Sequence, residues 1–179
     1  MKRILSLVTA SLLFVMMASA QAELSATEQL KQACTKAGKE NKKVFLMFHA
    51  SWCGWCHRMD NSMNDEECKK YFDDNFVIIH FVVDESPDKK NLETPGAAEL
   101  RTQYGGDGQG IPFWVIFDKE GNILGDSMKP EPGSGNKMNI GCPAQDTEVD
   151  YFIDLLKKTT RLKEDQLEKI GKRFRKNKS

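Results

Sequence analysis

Val44-Phe45-Leu46-Met47-Phe48 runs without a break into His49-Ala50-Ser51-Trp52-Cys53-Gly54-Trp55-Cys56-His57. A short, continuous apolar run of this kind is what a strand buried on both faces requires. From Gly54 to Phe72 the chain reads as helix, carrying Met59, Met63 and Cys68, with a break near Asn64-Asp65. A buried strand that delivers two cysteines to the start of a helix decides how the rest is read.

Upstream, Ser25-Ala26-Thr27-Glu28 fits a capping box, and Leu30, Ala33, Cys34 and Ala37 recur at helical spacing until Gly38 and Asn41-Lys42-Lys43. Downstream, Phe76 to Val83 is a second strand. A polar stretch with Pro87 and Thr94-Pro95-Gly96 leads to a brief helix through Ala97, Leu100 and Tyr104. Gly105 to Gly110 lacks the lysine of a phosphate loop and reads as a turn. Pro112 to Phe117 is a third strand, and Asp118 to Asn122 turns it into Ile123-Leu124 as a hairpin. Met128 to Gln145, rich in Pro and Gly, reads as a long loop, and Thr147 caps a last core helix bearing Val149, Phe152, Ile153, Leu155 and Leu156. Strands alternating with helices predict an α/β domain whose sheet is parallel, helix-covered on both faces and edged by the antiparallel hairpin.

Residues 1–22 read as a secretory leader: Lys2 and Arg3, an apolar run from Ile4 to Met17, then small residues offering cleavage after Ala20 or Ala22. The run is shorter than the ~20 residues that span a bilayer, and without a nearby cysteine a lipid anchor is not expected. The expected organisation is a leader over 1–22, one domain over 23–160 and a basic tail over 161–179. Without Lys2 and Arg3 the chain carries 24 basic and 26 acidic residues, a net charge of −2, which gives no footing for a nucleic-acid partner. The expected location is periplasmic or secreted, with no integral membrane segment after processing.

Such a compartment lets disulfides persist, yet there are five cysteines, an odd number, so the chain is not simply a disulfide framework. Cys53 and Cys56 are the pair close in sequence. Disulfide exchange needs a low-pKa, exposed sulfur and a second thiol within bonding reach. A helix N-terminus supplies the first, since its unpaired N–H groups and macrodipole favour an anion, lowering a cysteine pKa from ~8.5 to roughly 3.5–7.5. Cys53 is then the expected nucleophile and Cys56, one turn deeper, the resolving thiol.

With Gly110-Ile111-Pro112 ahead of the third strand, the segment Lys43 to Leu124, resumed at the helix near Val149, resembles the thioredoxin superfamily. The resemblance implies a thioredoxin-like fold, a central mixed sheet with helices on both faces. It also implies a cis Pro112 facing the cysteines, with Ile111 and Pro112 pairing main-chain groups with a substrate peptide. Trp52 and Trp55 offer it apolar contacts. Protein disulfides or dithiols are the implied substrates, with a separate redox partner reloading the pair. No cofactor or metal is implied.

One departure stands out. The family carries a buried acid in the strand before the cysteines, where this chain has Met47. His80, His49 and His57 are the candidate substitutes, with His57 and His80 the ones that could tune the sulfurs. The plain alternatives are a strand-end His49, a surface His57 and a packed His80.

Other readings compete. Cys53-Gly54-Trp55-Cys56-His57 also matches a c-type haem attachment pattern, but the sheet-forming run before it and Ile111-Pro112 are then unexplained. A structural zinc site needs four ligands, and no second cluster supplies them. A redox-inactive docking module is the third alternative. Cys34 and Cys68 read as buried thiols, with a Cys34–Cys68 bridge as the rival, and Cys142 as a packed or free loop thiol. Arg161 to Ser179 holds eight basic and three acidic residues and reads as a solvated, partly frayed helix; the rival is contact with an acidic partner or lipid surface.

Overall fold

The structure, a computed structural model, describes residues 23–178. The leader expected over 1–22 lies outside the described residues. The capping box forms as read, with Glu28 N donating to Ser25 Oγ at 3.3 Å and Ser25 N donating to Glu28 Oε2 at 3.0 Å. It opens α1 (Ala26–Glu40), which ends at Asn41 in the left-handed region. β1 (Lys43–His49) follows, then α2 (Gly54–Met63), α3 (Lys69–Asn75) and β2 (Phe76–Val82). The helical stretch after Cys53 is therefore broken where Asn64-Asp65 predicted. Beyond a 3₁₀ turn over Pro87–Leu92 come α4 (Ala97–Gln103), β3 (Phe113–Phe117) and β4 (Ile123–Asp126).

The four strands lie in the order β2-β1-β3-β4. β1 and β2 are parallel, with Lys43 opposite Phe76, while β3 is antiparallel to β1, with Val44 opposite Phe117. The sheet is thus mixed, as the family resemblance implied, and the mainly parallel sheet read from strand–helix alternation is corrected. The helix before β3 is short. β1 has seven residues, about 23 Å of extended chain, whereas the seven residues of α4 rise only about 10 Å. α4 covers less than half of that length, and β3 enters from the end at which β2 leaves.

Strand alternation divides the core. Val44, Leu46 and Phe48 of β1 meet α1 and α4 on one face, with Phe113, Val115 and Phe117 of β3 beside them. Phe45 and Met47 face the other way with Trp114 and Ile116, under the helices that follow. Each fully buried side chain of this size contributes about 1.5–3 kcal/mol.

Two segments differ from their sequence reading. Met128 to Gln145 is not simply a loop: it forms a two-stranded ribbon, β5 (Met128–Pro130) and β6 (Lys137–Asn139). Gln145, not Thr147, caps α5 (Asp146–Thr159), with Glu148 reaching back to accept from Gln145 N at 2.9 Å. The tail is not frayed either. α6 (Glu164–Arg175) buries Leu167, Ile170 and Phe174 in the same core as α2, α3 and α5. Among the described residues no helix is long and apolar enough to cross a membrane.

Candidate active site

β1 ends in the turn that presents the cysteines, and the segment after β2 moors that turn. Val83 N donates to His49 O at 2.8 Å, extending the β1–β2 ladder by one bond. Asp84 then adopts a φ of 55°. This bend aims its carbonyl at Trp52, whose Nε1 donates to it at 2.8 Å. The Asp84 carboxylate is gripped by Arg101 of α4, at 2.5 and 3.2 Å. Next along, Glu85 is buried and accepts from Ser51 N at 2.5 Å and from Ser51 Oγ at 2.8 Å.

The Ser51 N–H bond holds the Glu85 carboxyl below the usual carboxylate range. A carboxyl whose pKa is depressed by folding stabilises the fold above its unfolded value and loses that contribution as pH falls through the folded one. Wild type is therefore expected to lose more stability between pH 6 and pH 3 than Glu85→Gln. Urea unfolding at the two pH values checks this, and equal losses would refute it.

Cys53 is the N-cap of α2, and its sulfur accepts from Cys56 N at 3.1 Å. The two sulfurs are joined in a disulfide, with Cα atoms 5.3 Å apart. The Ile111–Pro112 peptide is cis, and the Ile111 carbonyl oxygen lies 3.7 Å from Cys53 Sγ. Strand β3 thus brings Ile111 and Pro112 onto the cysteine pair. Cys53 is only 3% exposed and Cys56 fully buried. The exposed sulfur anticipated from sequence is instead covered, because Ile111 lies against it. What stands out in solvent is Trp52 at 60% and Trp55 at 48% exposure.

Met47 is fully buried in the cluster that holds Cys56 and Met59. The histidines lie around this end of β1. His57 places Nε2 3.0 Å from Ser51 O. His80, opposite Met47 on β2, is exposed rather than packed, with Nε2 2.9 Å from Asp60 Oδ1 of α2. The His49 ring lies 5.3 Å from that of His80. Burial, and then the neighbouring His80, push the His49 pKa down.

The other cysteines are free and buried. Cys34 lies under one face of the sheet and Cys68 under the other, which rules out a Cys34–Cys68 bridge. Burial raises the Cys68 thiol to about 11 and that of Cys142 to about 12. Cys142 is a packed thiol, although it borders an open groove of about 310 Å³ beside the pair. Trp55, Ile111 and Pro112 line that groove along with Asn139, Gly141 and Cys142. Asn139 Nδ2 donates to Pro112 O at 3.2 Å and to Gln109 O at 3.0 Å, tying the ribbon to the proline loop.

The thioredoxin-like family model matches residues 25–119, more than half of the chain. The chain belongs to the thioredoxin-like family. Spermatogenesis-associated protein 20 of Mus musculus is 29% identical over 104 residues, 58% of this chain and 13% of that protein. An uncharacterized protein of Caenorhabditis elegans is 40% identical over 63 residues, 35% of this chain and 9% of its own. The chain thus matches about an eighth of the first curated relative's length. Among solved structures, a disulphide isomerase from Xylella fastidiosa Temecula1 is 23% identical with a TM-score of 0.47, covering 60% of this chain and 77% of that one. The oxidised DsbD C-terminal domain of Neisseria meningitidis is 26% identical with a TM-score of 0.39, covering 57% and 82%. The family match takes in the strand before Cys53 and the Ile111-Pro112 step, which the haem-attachment reading leaves unexplained, and among the described residues no cluster of three or more His, Cys, Asp or Glu side chains is placed to hold a metal ion.

Glu85 and Asp84 are the site residues that the sequence reading missed. Their signal was an acidic pair directly after the second strand, where a parallel neighbour of β1 must end beside the cysteines.

Proposed function

We propose that the chain is an exported thiol–disulfide oxidoreductase that exchanges disulfides with protein substrates through Cys53 and Cys56. The observation carrying this is a disulfide at the mouth of a helix, with Cys53 Sγ accepting the Cys56 N–H and lying against the cis Ile111–Pro112 peptide. A main-chain N–H directed at a sulfur favours its ionised form. In the reduced protein the Cys53 thiolate attacks one sulfur of a substrate disulfide, and the other substrate sulfur leaves as a thiolate. Cys56 then loses its proton and attacks Cys53 Sγ. The Cys53–Cys56 bond closes, and two electrons remain on the two substrate sulfurs. Run backwards, the same steps oxidise a dithiol, and a second redox protein resets the pair.

Trp52 and Trp55 are the proposed apolar contacts, and the Ile111–Pro112 loop the proposed aligner of the substrate chain. His57, and the Asp60–His80 pair one turn further along α2, are the titratable groups proposed to tune the sulfurs. Export rests on the charged start, apolar run and small residues of 1–22.

Cys53→Ser is expected to lower insulin and glutathione-disulfide turnover by at least about 100-fold, because Cys56 is fully buried and burial raises the thiols of Cys34, Cys68 and Cys142. Full turnover by this variant would end the proposal. The docking-only reading predicts that wild type itself turns over neither disulfide.

A further inference from the structure

The groove beside the cysteines is lined by α2 and by the loop after β6 among others, and one buried side chain near the end of the described chain is bonded toward both. Asn177 lies in the 3₁₀ turn Lys176–Lys178 that follows α6, and it is buried. Its Nδ2 lies 3.3 Å from Pro143 O, 3.4 Å from Cys142 Sγ and 3.0 Å from Ser62 Oγ of α2. Its main-chain oxygen accepts from Arg58 Nη1 at 2.9 Å. Arg58 in turn lays its guanidinium over Trp55, 4.8 Å from the ring centroid. Arg173 secures the turn, donating from Nη1 to Asn177 Oδ1 at 3.3 Å and from Nε to Asp65 Oδ2 at 2.7 Å.

Trp55 of α2 lines the groove, and so do Gly141 and Cys142 of the loop after β6. The bonds of Asn177 therefore run to Trp55 through Arg58, and directly to that loop at Cys142 and Pro143. A half-exposed indole with nothing over it samples several rotamers, and binding would have to fix one of them. A guanidinium stacked on it biases that choice by about two- to fivefold.

We propose that Asn177 is a positioning residue for substrate binding: it fixes the separation of α2 and the loop after β6 so that the groove is formed before a protein disulfide arrives. This rests on the reading of Cys53–Cys56 as exchanging disulfides with protein substrates. The chain flanking a protein disulfide fills the groove and feels the walls. A small disulfide reaches the sulfur without spanning them. Loss of the tie therefore raises KM for a protein disulfide and leaves the chemical step alone.

The test uses the full chain carrying Asn177→Ala or Arg58→Met, with insulin and hydroxyethyl disulfide as substrates. A second readout is ¹⁹F NMR of protein labelled with 5-fluorotryptophan, the Trp55 resonance being identified by Trp55→Phe. Each variant is expected to raise KM for insulin about two- to fivefold, with kcat held within about twofold and KM for hydroxyethyl disulfide unmoved. Both should shift the Trp55 resonance in the same direction, and the double variant should be no worse than either single one. Arg58→Met leaves the side-chain bonds of Asn177 in place, so it still reads the wall should Asn177→Ala fail to fold. A Trp55 resonance unmoved in Asn177→Ala, a KM for insulin unmoved in either variant, or a fall in kcat with both substrates overturns the proposal. If wild type turns over neither disulfide, the exchange reading fails and the substrate half of this proposal with it. The ¹⁹F shift then still judges the link from Asn177 to Trp55.

Discussion

Cys56→Ser is expected to stop the reaction at a covalent complex. Cys53 can still attack a substrate disulfide, but release requires a second thiolate to attack Cys53 Sγ. Cys56 is the sulfur already in bonding contact. The remaining thiols cannot stand in for it. Cys34 lies across the sheet, and Cys68 and Cys142 are buried with pKa values near 11 and 12. A thiol of pKa near 11 is ionised about once in ten thousand molecules at pH 7. Turnover of insulin should fall by at least about 100-fold, and a mixed-disulfide band should accumulate on non-reducing gels and vanish with dithiothreitol. Cys53→Ser should lose turnover without trapping substrate. A Cys56→Ser variant that releases product at the wild-type rate would show that resolution comes from elsewhere.

The parts of this site that were legible in the sequence are those fixed by short spacing. Cys53 and Cys56 are one helical turn apart, and a buried strand leading into a helix places the first of them at its N-terminus whatever the rest of the chain does. Ile111-Pro112 was legible only through the family resemblance, since nothing local says that it will lie 3.7 Å from Cys53 Sγ. The shielding of Cys53 was not legible for the same reason: the cover arrives from another strand. Glu85 was missed because its role depends on register. It reaches Ser51 only since β2 lies parallel to β1 and Asp84 turns the chain through the left-handed region. The odd cysteine count, by contrast, resolves through layering. Cys34 and Cys68 fall on opposite faces of one sheet, which a linear reading of two apolar stripes does not reveal.

The tail illustrates how composition can mask a pattern. Its basic residues outnumber acidic ones heavily, and that charge reads as solvated surface. Yet Leu167, Ile170 and Phe174 repeat at the spacing of one helical face, and the charges occupy the others. Arg175 bonds Asp150 Oδ1 of α5 at 2.5 Å, Lys178 bonds Asp146 Oδ2 at 2.7 Å and Arg173 bonds Asp65. Part of the positive charge therefore answers acids on neighbouring segments instead of an outside partner. These partly exposed pairs add little individually; the apolar stripe seats the helix.

That distinction sets the second large effect. Phe174 is fully buried, its ring centroid 4.9 Å from that of Phe152 and 6.2 Å from that of Phe72. Phe174→Ala removes a whole ring from between α3 and α5, so both the transfer contribution and the contacts across the cavity are lost, about 3–5 kcal/mol. Lys169→Ala and Lys172→Ala, on exposed positions of the same helix, should stay within about 0.5 kcal/mol. Urea unfolding followed by far-ultraviolet circular dichroism separates the two cases, provided the slope with denaturant is unchanged. A loss below about 1 kcal/mol for Phe174→Ala would mean that α6 is detached in solution. The buried position of Asn177, which that helix delivers beneath the active-site groove, would then fall with it.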